Sequence, residues 1–143
     1  MKTEVINDNA GCGFYGASWV PEEFRELYRD LKHVWCLETC SPKLRAGWSL
    51  ENQTLGQCTI TSFIVQDLYG GKVYGVPLPD GGFHCFNKVG EYIFDLTSEQ
   101  FGGAPLDYTE NYEQLREVQL GDAGKRERYE LLKKLLKEYR ESK

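Results

Sequence analysis

Three residues in this chain have the types and the order that a cysteine nucleophile requires. Cys58 stands at the start of an apolar run with helical spacing (Ile60, Phe63, Ile64, Leu68) that ends at Gly70 and Gly71. A helix N-terminus favours the thiolate over the thiol, and a neighbouring imidazolium does the same. His84 and Asp95 follow along the chain, and they could supply the base and the carboxylate that orients it. The pattern therefore predicts a nucleophile in the first turn of a helix over residues 58–69.

The histidine and the aspartate fall on two short segments that have the composition of strands. Residues 83–89 and 91–96 are rich in aromatic and β-branched side chains, and Gly90 separates them. This pattern is typical of a tight hairpin. Because side chains alternate between the two faces of a strand, His84 and Asp95 share a face in one register. They lie on opposite faces after a one-residue slip.

Asp95 has a second interpretation. It borders residues 97–101, which predict a short helical turn with a capping hydroxyl. The carboxylate could serve that turn or pair with a surface cation. If a one-residue slip turned Asp95 to the other face of the hairpin, Asn87 or Gln66 would have to orient His84.

The other predicted elements would hold these residues in place. Pro21 and the two glutamates after it open a helix, because proline suits the first turn and the helix dipole favours acidic residues there. Its apolar face is continued by residues up to Trp35, and the Ser41-Pro42 pair ends the pattern. A strand is predicted near residues 72–76 and a turn at residues 79–82. A C-terminal amphipathic helix is indicated by Tyr129, Leu132, Leu135, Leu136 and Tyr139.

The length of 143 residues predicts a single domain with a sizeable core. We expect a glycine-rich N-terminal arm over residues 1–18, a core over residues 19–120 and the amphipathic helix over residues 121–143. The loop over residues 42–56 is long, and it carries Arg45 and Trp48 ahead of the cysteine. Long loops often border functional sites, so these two side chains could bind substrate. A solvated arginine and a buried tryptophan are the alternative roles.

Composition excludes several classes of partner. The formal net charge is −5, and the basic residues are concentrated beside glutamates near the C-terminus, which argues against nucleic acid. There is no apolar run long enough for a membrane span, and the N-terminus lacks a secretory pattern. We therefore expect a cytoplasmic protein that uses neither nucleic acid nor membrane.

The cysteine content fits a reducing compartment. Five cysteines are an odd number, so at least one thiol stays unpaired in a monomer. The spacing of Cys36 and Cys40 lacks a second close pair, so it is a weak pattern for zinc. These two cysteines, with Cys12 and Cys85, are expected to be structural thiols, and no metal or other cofactor is predicted.

The chain resembles the YunG-like family of small bacterial proteins. The similarity lies in the segments Cys40–Arg45, Asn52–Cys58, Gln66–Gly71, His84–Asn87 and Asp95–Phe101, and in Trp48. Where the family tends to have Asn-Pro-Thr and His-Tyr-Trp-Asn, this chain has Asn-Gln-Thr at residues 52–54 and His-Cys-Phe-Asn at residues 84–87.

The resemblance implies an α+β fold with a papain-like or transglutaminase-like cysteine hydrolase core. In such a core, the helix bearing Cys58 packs on a small, mainly antiparallel sheet, here with an N-terminal and a C-terminal helix added. Cys58, His84 and Asp95 match the family's Cys, His and Asp. Asn52 resembles the position at which papain-like enzymes carry a side-chain oxyanion donor. Gln57 is a further candidate for substrate binding.

The expected function is that of a cysteine-nucleophile hydrolase or acyltransferase. Its substrate would be an amide in a peptide or protein, and the reaction would be of the peptidase, amidase or deamidase type. The competing hypothesis is a binding protein without catalysis that keeps the same scaffold and uses Arg45, Trp48 and the aromatic hairpin for recognition. His33 lies in the first predicted helix, and a surface or packing role is expected for it.

Overall fold

A computed structural model describes residues 13–102, 104 and 106–143 as an α+β arrangement of helices and one three-stranded antiparallel sheet. The expected α+β class is confirmed. The helices and strands, in chain order, are α1 (Glu22–Lys32), α2 (Cys58–Tyr69), β1 (Lys72–Pro77), β2 (Phe83–Val89), β3 (Tyr92–Phe94), α3 (Arg116–Gln119) and α4 (Ala123–Ser142). Short 3₁₀ helices lie at Leu37–Thr39, Pro42–Gly47 and Ser98–Phe101. No helix within these ranges is long and apolar enough to cross a membrane.

Helix α2 begins at Cys58 and ends at Tyr69, as the apolar spacing predicts. Its inward face is closely packed, and the exception in the apolar run is Leu68, which is exposed. The buried apolar residues of α2 are Ile60, Phe63, Ile64 and Val65. The helix is therefore anchored along its length, and this fixes the position of Cys58 at its first turn.

The sheet has the strand order β1-β2-β3, with both pairs antiparallel. The predicted hairpin is present: Asn87 of β2 lies opposite Phe94 of β3, and Gly90 is in the turn. Strand β3 is shorter than the predicted segment, because the ladder ends at Phe94. Asp95 instead forms an isolated bridge with Tyr15, whose carbonyl accepts the Asp95 N–H at 2.9 Å.

The two faces of the sheet bury different sets of residues. Val73 and Cys85 face the main core on the α2 side. There the Asn87 side-chain amide donates to the Ser62 carbonyl of α2 at 2.9 Å. The opposite face carries a smaller cluster of Tyr74, Val76 and Phe86, with Ile93, Leu106 and Tyr108 packed against it. The alternation of side chains along the strands produces this division.

Helix α1 is shorter than its apolar pattern predicts. It ends at Lys32 and does not continue toward Ser41. Trp35 lies beyond the helix and is still buried, because its indole N–H donates to the Thr61 hydroxyl of α2 at 2.9 Å. A tertiary contact with α2 therefore accounts for the apolar residue that the spacing assigned to a longer helix.

The described part of the predicted N-terminal arm belongs to the core. Phe14 and Ala17 have no exposed surface, and Tyr15 pairs with Asp95 through its backbone. Residues 13–18 are an irregular segment that packs on the rest of the fold, because apolar side chains between the glycines find places in the core. The remainder of the predicted arm, residues 1–12, lies outside the described residues.

Helix α4 confirms the predicted C-terminal amphipathic helix. Asp122 caps it, accepting the Lys125 N–H at 2.9 Å. Its buried stripe packs against α1 and α2 and consists of Tyr129, Leu132 and Leu136.

Candidate active site

Cys58 is the first residue of α2 and is partly exposed. The N–H groups of a first helical turn have no carbonyl one turn earlier to bond, and they carry the positive end of the helix dipole. The residue before the helix, Gln57, makes no side-chain cap bond to this turn. The sulfur therefore lies at the positive end of the helix dipole, which favours its anionic form.

His84 and Asp95 form a buried pair. His84 Nε2 lies 2.6 Å from Asp95 Oδ2, and each side chain is only 1% exposed. The register explains the contact: Asn87 lies opposite Phe94, so one further step places Phe86 opposite Asp95. Because alternate residues share a face, His84 and Asp95 meet as a diagonal cross-strand pair.

The Asp95 carboxylate accepts three further hydrogen bonds. The Tyr108 hydroxyl donates to Oδ2 at 2.8 Å. The Thr97 N–H and hydroxyl donate to Oδ1 at 3.1 Å and 3.2 Å. The carboxylate is therefore fixed in orientation, and it serves both of the roles that the sequence left open: it turns the chain at Thr97 and it pairs with His84.

The Thr97 hydroxyl does not cap the turn that follows it, contrary to the prediction. Residues Ser98–Phe101 form the expected 3₁₀ helix, but no side-chain cap bond is made at Thr97. Its hydroxyl instead donates to the Asp95 carboxylate, a charged acceptor that forms a strong hydrogen bond.

The surroundings of His84 favour the imidazolium. Burial lowers the pKa of His84, but the Asp95 carboxylate and the Cys58 thiolate outweigh this effect and raise the pKa to about 10. With Nε2 directed at Asp95, Nδ1 is the ring nitrogen left for other partners.

The pKa of Cys58 is held well below its usual value. The largest cause is a hydrogen bond from the Cys85 thiol. Burial opposes the shift, and the charge and hydrogen bond of His84 add to it. Both shifts favour a thiolate on Cys58 and an imidazolium on His84.

Cys85 is the second thiol at the site. It is 2% exposed, and its sulfur lies 3.5 Å from the Thr59 hydroxyl. The hydrogen bond to Cys58 and burial both raise the pKa of Cys85 well above its usual value, so it stays protonated. Sequence reasoning treated Cys85 as a structural thiol, although its place next to His84 on a strand was the one available indication of a role.

The loop candidates Arg45 and Trp48 are bound within the loop. The Arg45 guanidinium donates to the Cys40 and Glu38 carbonyls at 3.1 Å and 3.0 Å. The Trp48 indole N–H donates to the Gln53 carbonyl at 2.9 Å. Both side chains are half-buried. Their polar groups therefore stabilise the loop that leads into α2. The hydrogen bonds described for them are to this loop and not to Cys58 or His84.

Gln57 is packed inside the structure. Its side chain is fully buried, and its amide N–H donates to the Cys36 carbonyl at 3.0 Å. This bond holds the loop against the start of α2, and a role of Gln57 in substrate binding stays a prediction. Asn52 is half-buried in a turn where its backbone pairs with Ser49.

The remaining cysteines that the structure describes are Cys36 and Cys40, and Cys12 lies outside the described residues. Cys36 and Cys40 are free thiols. In the part of the chain that the structure describes, no three His, Cys, Asp or Glu side chains are grouped to hold a metal ion.

Comparison with known proteins identifies the family. The family model described as YunG protein matches residues 23–141, a range that contains Cys58, His84 and Asp95. The chain belongs to the YunG family. It is 33% identical over 78 residues to a Bacillus subtilis (strain 168) protein named "Uncharacterized protein YunG". The aligned part is 54% of this chain and 62% of that YunG protein, so the chain spans less than two thirds of its relative. No solved structure matches the chain.

Proposed function

We propose that this YunG-family protein is a cysteine-dependent hydrolase or acyltransferase that acts on an amide in a peptide or protein. The nucleophile is Cys58 and the base is His84. Asp95 orients His84 and stabilises its protonated form. The observation that carries the proposal is the buried 2.6 Å pair of His84 and Asp95 beside a thiol at a helix N-terminus. Buried ionisable groups with strongly shifted pKa values cluster at functional sites.

The chemistry follows from the charge states. The Cys58 thiolate attacks the acyl carbon, and the C–N bond breaks as His84 gives its proton to the leaving nitrogen. The product is a thioester on Cys58. His84 then takes a proton from water or another acceptor, which attacks the thioester and releases the Cys58 thiolate. Asp95 remains ionised throughout and stabilises the imidazolium each time it forms.

The tetrahedral intermediates need donors for their oxyanion. The backbone N–H of Cys58, at the first turn of α2, is one donor. We retain the Asn52 side chain as the second, because its position six residues before the nucleophile resembles that of papain-like enzymes. Each such donor is worth about 3 kcal/mol of transition-state stabilisation.

We also propose that the arrangement corresponds to a papain-like or transglutaminase-like core. The support is the order of parts: a nucleophile on a helix, then a histidine on β2 and an aspartate just after β3, with the helix packed on the sheet. A working thiolate requires reducing conditions, so we place the protein in the cytoplasm as part of this proposal.

An activated ester tests the proposal without knowledge of the substrate. With p-nitrophenyl acetate, the wild-type protein should release nitrophenolate in a burst and carry an acetyl group on the tryptic peptide 46–72, which contains Cys58. Cys58→Ala should abolish the burst, and His84→Ala should slow it by about 10²-fold or more. Cys36→Ala is the matched control and should acylate normally.

The same assay can also reject the hydrolase proposal. If the wild-type protein acylates no faster than Cys58→Ala, or acetylates mainly at another cysteine, the hydrolase proposal is wrong. The binding-protein hypothesis would then be favoured.

A further inference from the structure

Cys85 is a buried thiol that the mechanism above does not use. It lies in the middle of the β1–β2 ladder, opposite Gly75, and faces the start of α2. The Thr59 hydroxyl is 3.5 Å from the Cys85 sulfur and 3.8 Å from the Cys58 sulfur. One hydroxyl therefore contacts both sulfurs, which places the two thiols together at the helix N-terminus.

Two neighbouring residues of β2 interact with the Cys58 sulfur. His84 and Cys85 are consecutive residues, and both interact with Cys58 at the start of α2. Their tasks differ, because the imidazolium must give its proton to the leaving group during each turnover. Cys85 keeps its proton, so its S–H can donate whenever Cys58 carries a negative charge.

We propose that Cys85 is a catalytic residue whose S–H group donates a hydrogen bond to the Cys58 thiolate, both before attack and when the thioester breaks. The inference rests on the proposed function for its place in the reaction. No proton leaves Cys85 at either step: the hydrogen bond forms as charge appears on Cys58 and is lost as the thioester forms. The donor thus shares with the His84 imidazolium the support of the negative sulfur in the two stages in which Cys58 is a thiolate.

Three observations support the donor role. Cys85 is 2% exposed, so water does not compete for its S–H. The pKa of Cys85 is raised well above its usual value, so the proton stays on this sulfur. The same hydrogen bond is the largest cause of the lowered pKa of Cys58, while the partly exposed Cys58 is the sulfur that a reagent reaches.

The test measures iodoacetamide alkylation of Cys58 against pH in variants of Cys85. Trypsin separates the two thiols, because Cys58 falls in peptide 46–72 and Cys85 in peptide 73–88, so mass spectrometry follows each one. Cys85→Ala should raise the midpoint for Cys58 by about one pH unit and slow alkylation at pH 6 roughly tenfold. Cys85→Ser should restore the wild-type midpoint, because its hydroxyl can donate to the thiolate. A structural role alone would not distinguish serine from alanine in this way.

Controls keep the result decisive. Cys85→Val fills the space without a donor and should behave like Cys85→Ala, which covers the case in which alanine impairs folding. Cys36→Ala removes a thiol whose sulfur contacts Thr39 and should leave the midpoint unchanged. Equal midpoints for wild type, Cys85→Ala and Cys85→Val would overturn the donor role, as would a serine variant that matches alanine.

Alkylation needs no substrate, so the two proposals fail separately. A midpoint that shifts in Cys85→Ala while p-nitrophenyl acetate gives no burst would support the donor and reject the hydrolase. A normal burst with an unshifted midpoint would reject the donor and support the hydrolase.

Discussion

At the scale of single residues, Asp95 is the centre of the site's polar network. Its two oxygens accept bonds from His84, Tyr108 and Thr97, and both carboxylate and imidazole are buried. A buried charge is tolerated only when it is paired and hydrogen-bonded. Asp95 therefore has to contribute to stability as well as to the charge of His84, and the two contributions can be separated by pH.

The first prediction concerns Asp95→Asn. The pKa of His84 is raised from 6.5 to about 10 in the folded protein, so protonated His84 stabilises the fold fully below pH 6.5 and loses this effect as pH rises through about 10. Because Asp95 is a main source of the increase, Asp95→Asn should cost about 2–3 kcal/mol of unfolding free energy at pH 6. The cost should shrink toward pH 10. Urea unfolding at several pH values measures it.

Tyr108→Phe is the matched control. It removes one donor to the same Asp95 oxygen, but it keeps the carboxylate charge and the ring that stacks on Tyr15 at 4.1 Å. Its cost should be nearly constant between pH 6 and pH 9. If the two variants show the same pH dependence, Asp95 does not hold the charge on His84.

Some residues of the site could be predicted from the sequence, and others could not. Cys58, His84 and Asp95 could be predicted to lie near one another, because a helix start and a hairpin are local patterns. The hairpin register then decides whether His84 and Asp95 share a face. Tyr108 could not be found, because it lies in an irregular segment beyond β3 with no periodic pattern. The contact of Cys85 with Cys58 depends on how α2 packs on β2, which no spacing describes.

At the scale of elements, the joint between α2 and β1 controls how closely α2, which carries Cys58, packs on β2, which carries His84. Gly70 and Gly71 form this joint, with φ of 78° and 79°. A Cβ on Gly71 would collide with the Lys88 carbonyl oxygen and come within 3.0 Å of the Val89 Cα on β2. A Cβ on Gly70 would have nothing within 4 Å. The two glycines thus share a backbone conformation but differ in the space around them.

The second prediction compares Gly71→Ala with Gly70→Ala. The positive φ should cost each variant about 1–2 kcal/mol. Gly71→Ala should lose about 1–3 kcal/mol more, because it must push α2 away from β2. Thermal or urea unfolding measures both free energies. The burst with p-nitrophenyl acetate should also fall in Gly71→Ala and persist in Gly70→Ala; equal stability of the two variants would mean that the joint is not tight.

The bounds of the elements show where local pattern suffices. Helix α2 and strand β2 begin and end where their composition predicts, since glycines or turn residues flank both. Helix α1 and strand β3 end earlier than predicted. In each case a residue just past the end makes a contact with a distant part of the chain. Trp35 hydrogen-bonds to Thr61 of α2, and Asp95 forms a backbone bridge with Tyr15. Such contacts join distant parts of the chain and leave no trace in local spacing.

At the scale of the whole molecule, the C-terminal end of α4 is held against α1 and α2. Asp30 of α1 has a side chain only 4% exposed, and it accepts from Arg140 at 2.9 Å and Lys143 at 2.6 Å. Arg140 also hydrogen-bonds to Tyr69, the last residue of α2. The pairing spans more than one hundred residues of sequence, so the amphipathic stripe of α4 predicted a helix but not its partners.

The final prediction separates stability from reactivity by means of Arg140→Ala. The variant weakens the pairing of a buried carboxylate, so it should lower the free energy of unfolding by about 1.5–3 kcal/mol. Arg126→Ala is the control in the same helix, because its pair with Glu130 is exposed and should be worth less than about 0.5 kcal/mol. Urea unfolding compares the two variants.

Arg140→Ala should leave the chemistry of Cys58 unchanged, because the two contacts lie at opposite ends of α2. Tyr69 and Cys58 are separated by the twelve-residue helix, about 17 Å along its axis. The pH midpoint for alkylation of Cys58 should therefore match that of the wild type under conditions in which the variant is folded. A shifted midpoint would show that α4 positions the nucleophile through α2, and that the site is not set by β2 and the first turn of α2 alone.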